Sequence, residues 1–245
     1  MTPKIPLKRV LFLDIETAPQ YPDYDLLPDI LKKHWTKKMT RIHRSPIEEE
    51  APDPKVWYPL RAGIFSEFAK VICITLGIVP DIDAGQIRLK SIYGDDEREL
   101  LLSFIELINK HYPSSDNSWL CGHNIKEFDI PFLCRRMVVH RLPLPNILQI
   151  SGKKPWELNY LLDTMEMWKF GDYKHYTSLD LLATILDIPS PKDDIDGSDV
   201  GRVYWEENDL ERIVTYCEKD VRTVARVYLR LQGMSDLAPS NEEEE

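Results

Sequence analysis

An apolar run that ends in two acids one residue apart constrains this chain more than any other stretch: Val10-Leu11-Phe12-Leu13-Asp14-Ile15-Glu16-Thr17. Side chains of a strand alternate between faces, so Asp14 and Glu16 project the same way. Two carboxylates side by side at the end of a buried strand repel each other unless a cation lies between them, and hard oxygen donors suit Mg2+ or Mn2+. The plain alternative is a strand running out into a polar loop. Further acids in matching contexts elsewhere in the chain decide between the two.

Around that stretch the pattern reads as a mixed α/β fold. Residues 9–13 form the first strand. Residues 18–68 are irregular and rich in proline and tyrosine, an insertion between the first two strands. Within it, residues 28–44 read as a helix carrying Lys32, Lys33, Lys37, Lys38, Arg41 and Arg44, with Trp35 among them. A basic, aromatic-bearing stretch suits a phosphate backbone and a stacked base. A solvated helix whose cations balance Glu48, Glu49 and Glu50 is an equal reading. Residues 68–80 and 86–93 read as two strands of a hairpin. Residues 95–112 show helical spacing, with Asp95 or Asp96 as the cap. A fourth strand at 118–122 leads into a helix ending near Arg141, and a fifth at 158–162 ends at Asp163. Helices follow over 177–186 and 208–231. Three early strands followed by strand–helix alternation give one five-stranded mixed sheet, three strands antiparallel and then parallel ones, with helices on both faces. Sites in such sheets gather at strand ends near the centre.

Composition narrows the class. A length of 245 residues is enough for one large domain, expected over 1–234, followed by a polar, disordered tail over 235–245 that ends in four glutamates. A net charge of −10 argues against a general nucleic-acid coat protein but not against a nuclease, because bound cations offset an acidic site. No apolar run approaches the roughly 20 residues of a membrane span, and Lys4, Lys8 and Arg9 precede no long apolar region. Cys73, Cys121, Cys134 and Cys217 are scattered without metal-ligand spacing, which reads as reduced core thiols in a cytoplasmic protein.

Two further segments carry acids. Asp129 follows the fourth strand within Asn124-x3-Phe128-Asp129, near the start of a helix, where a dipole-stabilising role is the plain alternative. In the last helix the apolar stripe is Leu210, Ile213, Val214, Cys217, Val221, Val224, Tyr228 and Leu231. Tyr216 and Asp220 are four apart and fall just outside one edge of it, at the border of the core. Taken in this order, Asp14-Ile15-Glu16, Asn124-x3-Phe128-Asp129 and Tyr216-x3-Asp220 resemble the DEDD superfamily of 3′–5′ exonucleases. The tyrosine is similar to that of the DEDDy branch, which includes the proofreading domains of B-family DNA polymerases. The chain most resembles stand-alone predicted exonucleases related to those domains.

That resemblance implies a ribonuclease-H-like fold and two divalent ions, Mg2+ or Mn2+, held by Asp14, Glu16, Asp129 and Asp220. It implies that Asp14 bridges both ions, that Glu16 and Asp220 complete the water-bearing site, and that Asp129 holds the second ion through water. Tyr216 would orient the attacking water, since an unperturbed phenol is a weak base at neutral pH. The expected substrate is a single-stranded nucleic-acid 3′ end, DNA favoured over RNA, with nucleoside 5′-monophosphates released and an unidentified protein partner in replication or repair. Ile15, Thr17, Asn124, Phe128, Phe132 and Ser178 are the expected pocket residues. Core packing is the stronger alternative for Phe128 and Phe132, and helix capping is an equal one for Asn124. Asp163 is expected to support or cap rather than to ligate. The rival functions are a non-catalytic nucleic-acid binder and an oligoribonuclease-like or RNA-trimming enzyme.

Overall fold

The computed structural model of the protein describes residues 5–42, 53–83, 85–172, 176–189 and 195–238. Arg44, Glu48, Glu49, Glu50 and residues 239–245 of the expected tail lie outside the described residues. The first strand, β1 (Val10–Pro19), runs through both acids and beyond them rather than stopping at residue 13. What extends it is its antiparallel partner β2 (Ala69–Ile78), paired from Phe12↔Gly77 to Pro19↔Ala69. Strand β3 (Arg88–Tyr93) pairs antiparallel with β2, while β4 (Trp119–Gly122) and β5 (Leu161–Asp163) lie parallel on the other side of β1. The sheet order is β3-β2-β1-β4-β5, the mixed five-stranded arrangement expected.

Between Glu16 and Thr17 the pairing slips. Glu16 faces Cys73 and Thr17 faces Val71, so Ile72 is an extra residue in β2. This bulge turns Ile72 and Cys73 toward the same face of the sheet. Ile72 packs with Ala18 and Val203, and Cys73 with Val214 and Cys217.

The alternation of β1 builds two cores. Leu11, Leu13 and Ile15 pack beneath α3 (Glu97–His111) and α4 (Asp129–Val139), against Leu101, Phe104, Ile108, Ile130 and Phe132. Val10 and Phe12 pack on the opposite face beneath α8 (Leu210–Leu231), against Val221, Val224, Ala225 and Tyr228. Gly77 lets that helix come close, since a Cβ there would lie 2.8 Å from Val221 Cγ1. Asp96 caps α3 and Asp209 caps α8.

Several elements differ from expectation. Residues 158–160 are not strand, because a 3-10 turn at Pro155–Glu157 delays β5. The helix expected over 177–186 is α6 (Leu179–Ile185), with Ser178 as its cap. The short α5 (Thr164–Lys169) and α7 (Val200–Arg202), the latter running into a π-helical turn at Val203–Glu207, add to the expected set.

The insertion folds as α1 (Asp29–Ile42) and α2 (Pro54–Arg61) around its own small core of Leu27, Trp35, Met39, Tyr58, Ala62 and Phe68. Trp35 is fully buried and donates its indole N–H to Pro54 O at 2.9 Å, so it offers no ring for a base. That corrects the stacking reading of this helix. The start of the expected tail is held against the domain at two points. Leu237 is buried beside β1 and α8, and Ala238 N donates to Gly85 O at 2.7 Å.

Candidate active site

Strand β4 accompanies β1 only from Val10 to Phe12. Beyond that point β1 carries Asp14 and Glu16 on the face covered by α8, with no β4 partner at its flank. The chain leaving β4 fills the gap. Gly122 permits a close turn, because a Cβ there would lie 2.8 Å from Ile125 Cβ and 3.0 Å from Leu13 O. Asn124 takes a left-handed conformation (φ 63°), and its carbonyl accepts from Phe128 N at 2.9 Å. Helix α4 therefore opens with Asp129 against β1, where the N–H groups of Ile15 and of Asp129 itself bond its carboxylate.

Asp163, which sequence reasoning left as a support or a cap, does both. Its Oδ1 accepts from Met165 N at the start of α5 and from Asn124 N, each at 3.0 Å. Its Oδ2 accepts from Lys126 N at 3.2 Å. One buried carboxylate thus fastens the turn that presents Asp129. A second buried carboxylate holds α4 from behind: Glu97 of α3 pairs with Arg136 at 2.6 Å, accepts from Val71 N at 2.8 Å, and meets His140 Nε2 at 2.6 Å.

From α8, Tyr216 hydrogen-bonds Asp220 one turn later. Cys217 donates its S–H to Asp14 Oδ2 at 3.4 Å. Sequence reasoning counted Cys217 only as a core residue; its place between Tyr216 and Asp220 was the available signal.

Electrostatics show how close these groups are. Burial first, then the charges of Asp129 and Asp220, hold the Asp14 carboxyl well above the usual carboxylate range. Glu16 is raised in the same way by burial and by Asp14, Asp220 and Asp129. Burial pushes Asp129 up to about 7, with Asp163 and Asp220 adding to it. The Tyr216 phenol is driven far above its ordinary value by burial and by Asp220, Glu16 and Asp14. Four carboxyl groups from β1, α4 and α8 therefore share one field. Among the described residues no lysine or arginine forms an ion pair with Asp14, Glu16 or Asp129, and Asp129 Oδ1 is buried without a partner. Concentrated, buried hard oxygen donors fit a divalent cation. Ligand atoms of Asp14, Glu16 and Cys217 lie within 4.8 Å of one another.

The expected pocket residues divide. Ile15 and Phe132 are 4% and 1% exposed and belong to the core beneath α3 and α4. Phe128 stacks obliquely on Phe132 with ring centroids 5.4 Å apart. Thr17 donates to Gly63 O at 2.8 Å, tying β1 to the insertion. Ser178 caps α6 by accepting from Leu181 N. Asn124 does not cap α4; its Oδ1 is buried and without a partner.

A family model described as a predicted 3′–5′ exonuclease related to the exonuclease domain of PolB matches residues 64–245, a span that holds Asp129, Tyr216 and Asp220 and begins after β1. No curated protein matches the chain. Among solved structures it is similar to the family B DNA polymerase of the hyperthermophilic archaeon Pyrobaculum calidifontis, with a TM-score of 0.53 and 17% identity, over 92% of this chain and 24% of that one. At that identity the likeness concerns the fold. No helix among the described residues is long and apolar enough to cross a membrane.

Proposed function

The chain belongs to the family of predicted 3′–5′ exonucleases related to the exonuclease domain of PolB, and from that premise we propose that it removes nucleotides from single-stranded 3′ ends, DNA favoured, with two divalent ions. What supports this reading is the buried pair Asp14 and Glu16, whose ligand atoms lie within 4.8 Å of one another, with the charges of Asp129 and Asp220 acting on both. Asp14, Glu16, Asp129 and Asp220 are the residues that would hold the two ions. Bound there, Mg2+ or Mn2+ would neutralise the scissile phosphate, acidify a water and stabilise the leaving 3′ oxygen.

The chain's own residues supply position. Tyr216 keeps its proton, since its surroundings oppose a phenolate. Its hydroxyl therefore orients the attacking water by hydrogen bond and does not act as the base. Asn124, in the turn before Asp129, would contact the terminal nucleotide in this reading. Exonucleolytic cleavage is the activity that the family description supports. The domain is proposed to span 1–234, with the insertion at 18–68 as part of it.

Digestion of 3′-labelled single-stranded and duplex DNA and RNA, with product analysis, tests this. Wild type with Mn2+ should release nucleoside 5′-monophosphates stepwise, and Asp14→Ala and Asp220→Ala should not. Double variants digesting at the wild-type rate would overturn the assignment. Binding of strands with no turnover under Mn2+ would favour a binding module instead.

A further inference from the structure

The start of β1 lies beside a cavity that the nuclease reading does not use. Strands β2 and β3 pair Leu76 with Lys90 and Ile78 with Arg88, and paired residues present their side chains on one face. Leu11 of β1, Leu107 of α3 and Tyr112 just after it pack on that same face. Together these apolar groups floor a cavity of about 400 Å3, within the size range of ligand pockets. Its rim is basic: Lys8 and Arg9 ahead of β1, Arg88 and Lys90 on β3, and His111 on α3. No acid lines it, although the chain carries a net charge of −10. Lys8, Arg9, Arg88 and Lys90 are exposed, and among the described residues they form no ion pair. Burial raises the Tyr112 phenol and the charge of Arg9 opposes that rise, so rim and floor meet there. Charge on an edge strand discourages strand-to-strand aggregation. That accounts for Arg88 and Lys90, but not for Lys8, Arg9 and His111 converging from other elements around the same hollow.

We infer that this cavity binds a nucleoside 5′-phosphate, with the base on the floor of Leu76, Ile78 and Leu107 and the phosphate on the rim of Arg88 and Lys90. Four fixed cations call for a ligand with more than one negative charge, and the apolar floor calls for a weakly hydrated body. A guanidinium fork and an ammonium both suit phosphate oxygens. A phospholipid shares that chemistry, an apolar body carrying a phosphate. The choice of a nucleotide rests on the proposed reaction, which releases nucleoside 5′-monophosphates; the cavity itself does not. The site is separate from the catalytic acids, because alternation along β1 puts Leu11 on the face of α3 and puts Asp14 and Glu16 on the face of α8.

The test is calorimetric titration of the full chain with deoxyadenosine 5′-monophosphate, beside deoxyadenosine, inorganic phosphate and a soluble short-chain phosphatidic acid. A chelator replaces divalent ions throughout, so the catalytic acids repel phosphate and do not bind it. Wild type should take up one nucleotide per chain and bind deoxyadenosine and phosphate each at least about tenfold more weakly, the cost of losing one half of the contacts. The double variant Arg88→Gln, Lys90→Gln should lose at least about tenfold in nucleotide affinity, since each charge-assisted hydrogen bond is worth that much. Both side chains are exposed, so the variant should fold, which circular dichroism checks. Lys153→Gln, an exposed lysine outside the cavity, should bind as wild type does. Nucleotide bound no better than phosphate, bound equally by the double variant, or bound more weakly than phosphatidic acid would overturn the site. A chain that digests strands with Mn2+ yet gives any of those results leaves the nuclease reading standing. A chain that binds the nucleotide in this cavity but digests nothing overturns the nuclease reading and leaves the site.

Discussion

Asp14 meets the charges of Asp129 and Asp220 and a single weak donor, the Cys217 thiol. Replacing it with alanine should abolish Mn2+-dependent digestion while the protein stays folded, which circular dichroism beside the digestion assay will show. Tyr216→Phe should cost less, below the roughly 100-fold at which positioned proton transfer begins to contribute, because the carboxylates remain. The pH behaviour follows from Asp129. Its folded value of about 7 lies above the ordinary 3.8, so the folded state binds the proton more tightly than the unfolded chain. The stability it contributes is full below about 4 and is lost as pH rises through about 7. Without metal, Asp129→Asn should therefore melt increasingly above wild type across that window. Saturating Mn2+ should raise the wild-type melting temperature and remove the difference. A gap independent of pH would mean that Asp129 is not the group under strain.

At the scale of elements, α4 reaches the site through Glu97. Glu97→Gln leaves the Arg136 guanidinium, 4% exposed, without its counter-charge. Breaking a buried pair this way costs about 3–5 kcal/mol, measurable by urea unfolding, and should lower digestion as α4 loosens. The acids were legible because two short periods sufficed: alternation put Asp14 and Glu16 on one face, and a four-residue step put Tyr216 beside Asp220. Helices α3 and α8 were legible for the same reason, long apolar stripes that begin at an aspartate cap. The length of β1 was not, because β2 extends it from more than fifty residues away. Trp35 looked available because nothing local says that Tyr58 and Phe68 will close over it at 5.3 and 5.2 Å. The Cys217–Asp14 contact spans 203 residues and lies beyond any periodicity.

Across the whole molecule, a net charge of −10 must coexist with a polyanionic substrate. Helix α1 offers a local answer, since Lys33, Lys37 and Arg41 are exposed in one row four residues apart. Reversing all three to glutamate should raise KM for single strands at low salt and flatten its salt dependence by about 0.7 in log–log slope for each phosphate contact removed. Unchanged KM and slope would make the row an ordinary solvated face. This helix belongs to an insertion that joins the sheet just past the acids, where Ile72 throws the two central strands out of step. Such a slip works like an expansion joint. Changes of length in the appended segment are absorbed downstream of it, so the excursion can grow, shrink or be exchanged while the spacing of the two carboxyls on β1 stays fixed.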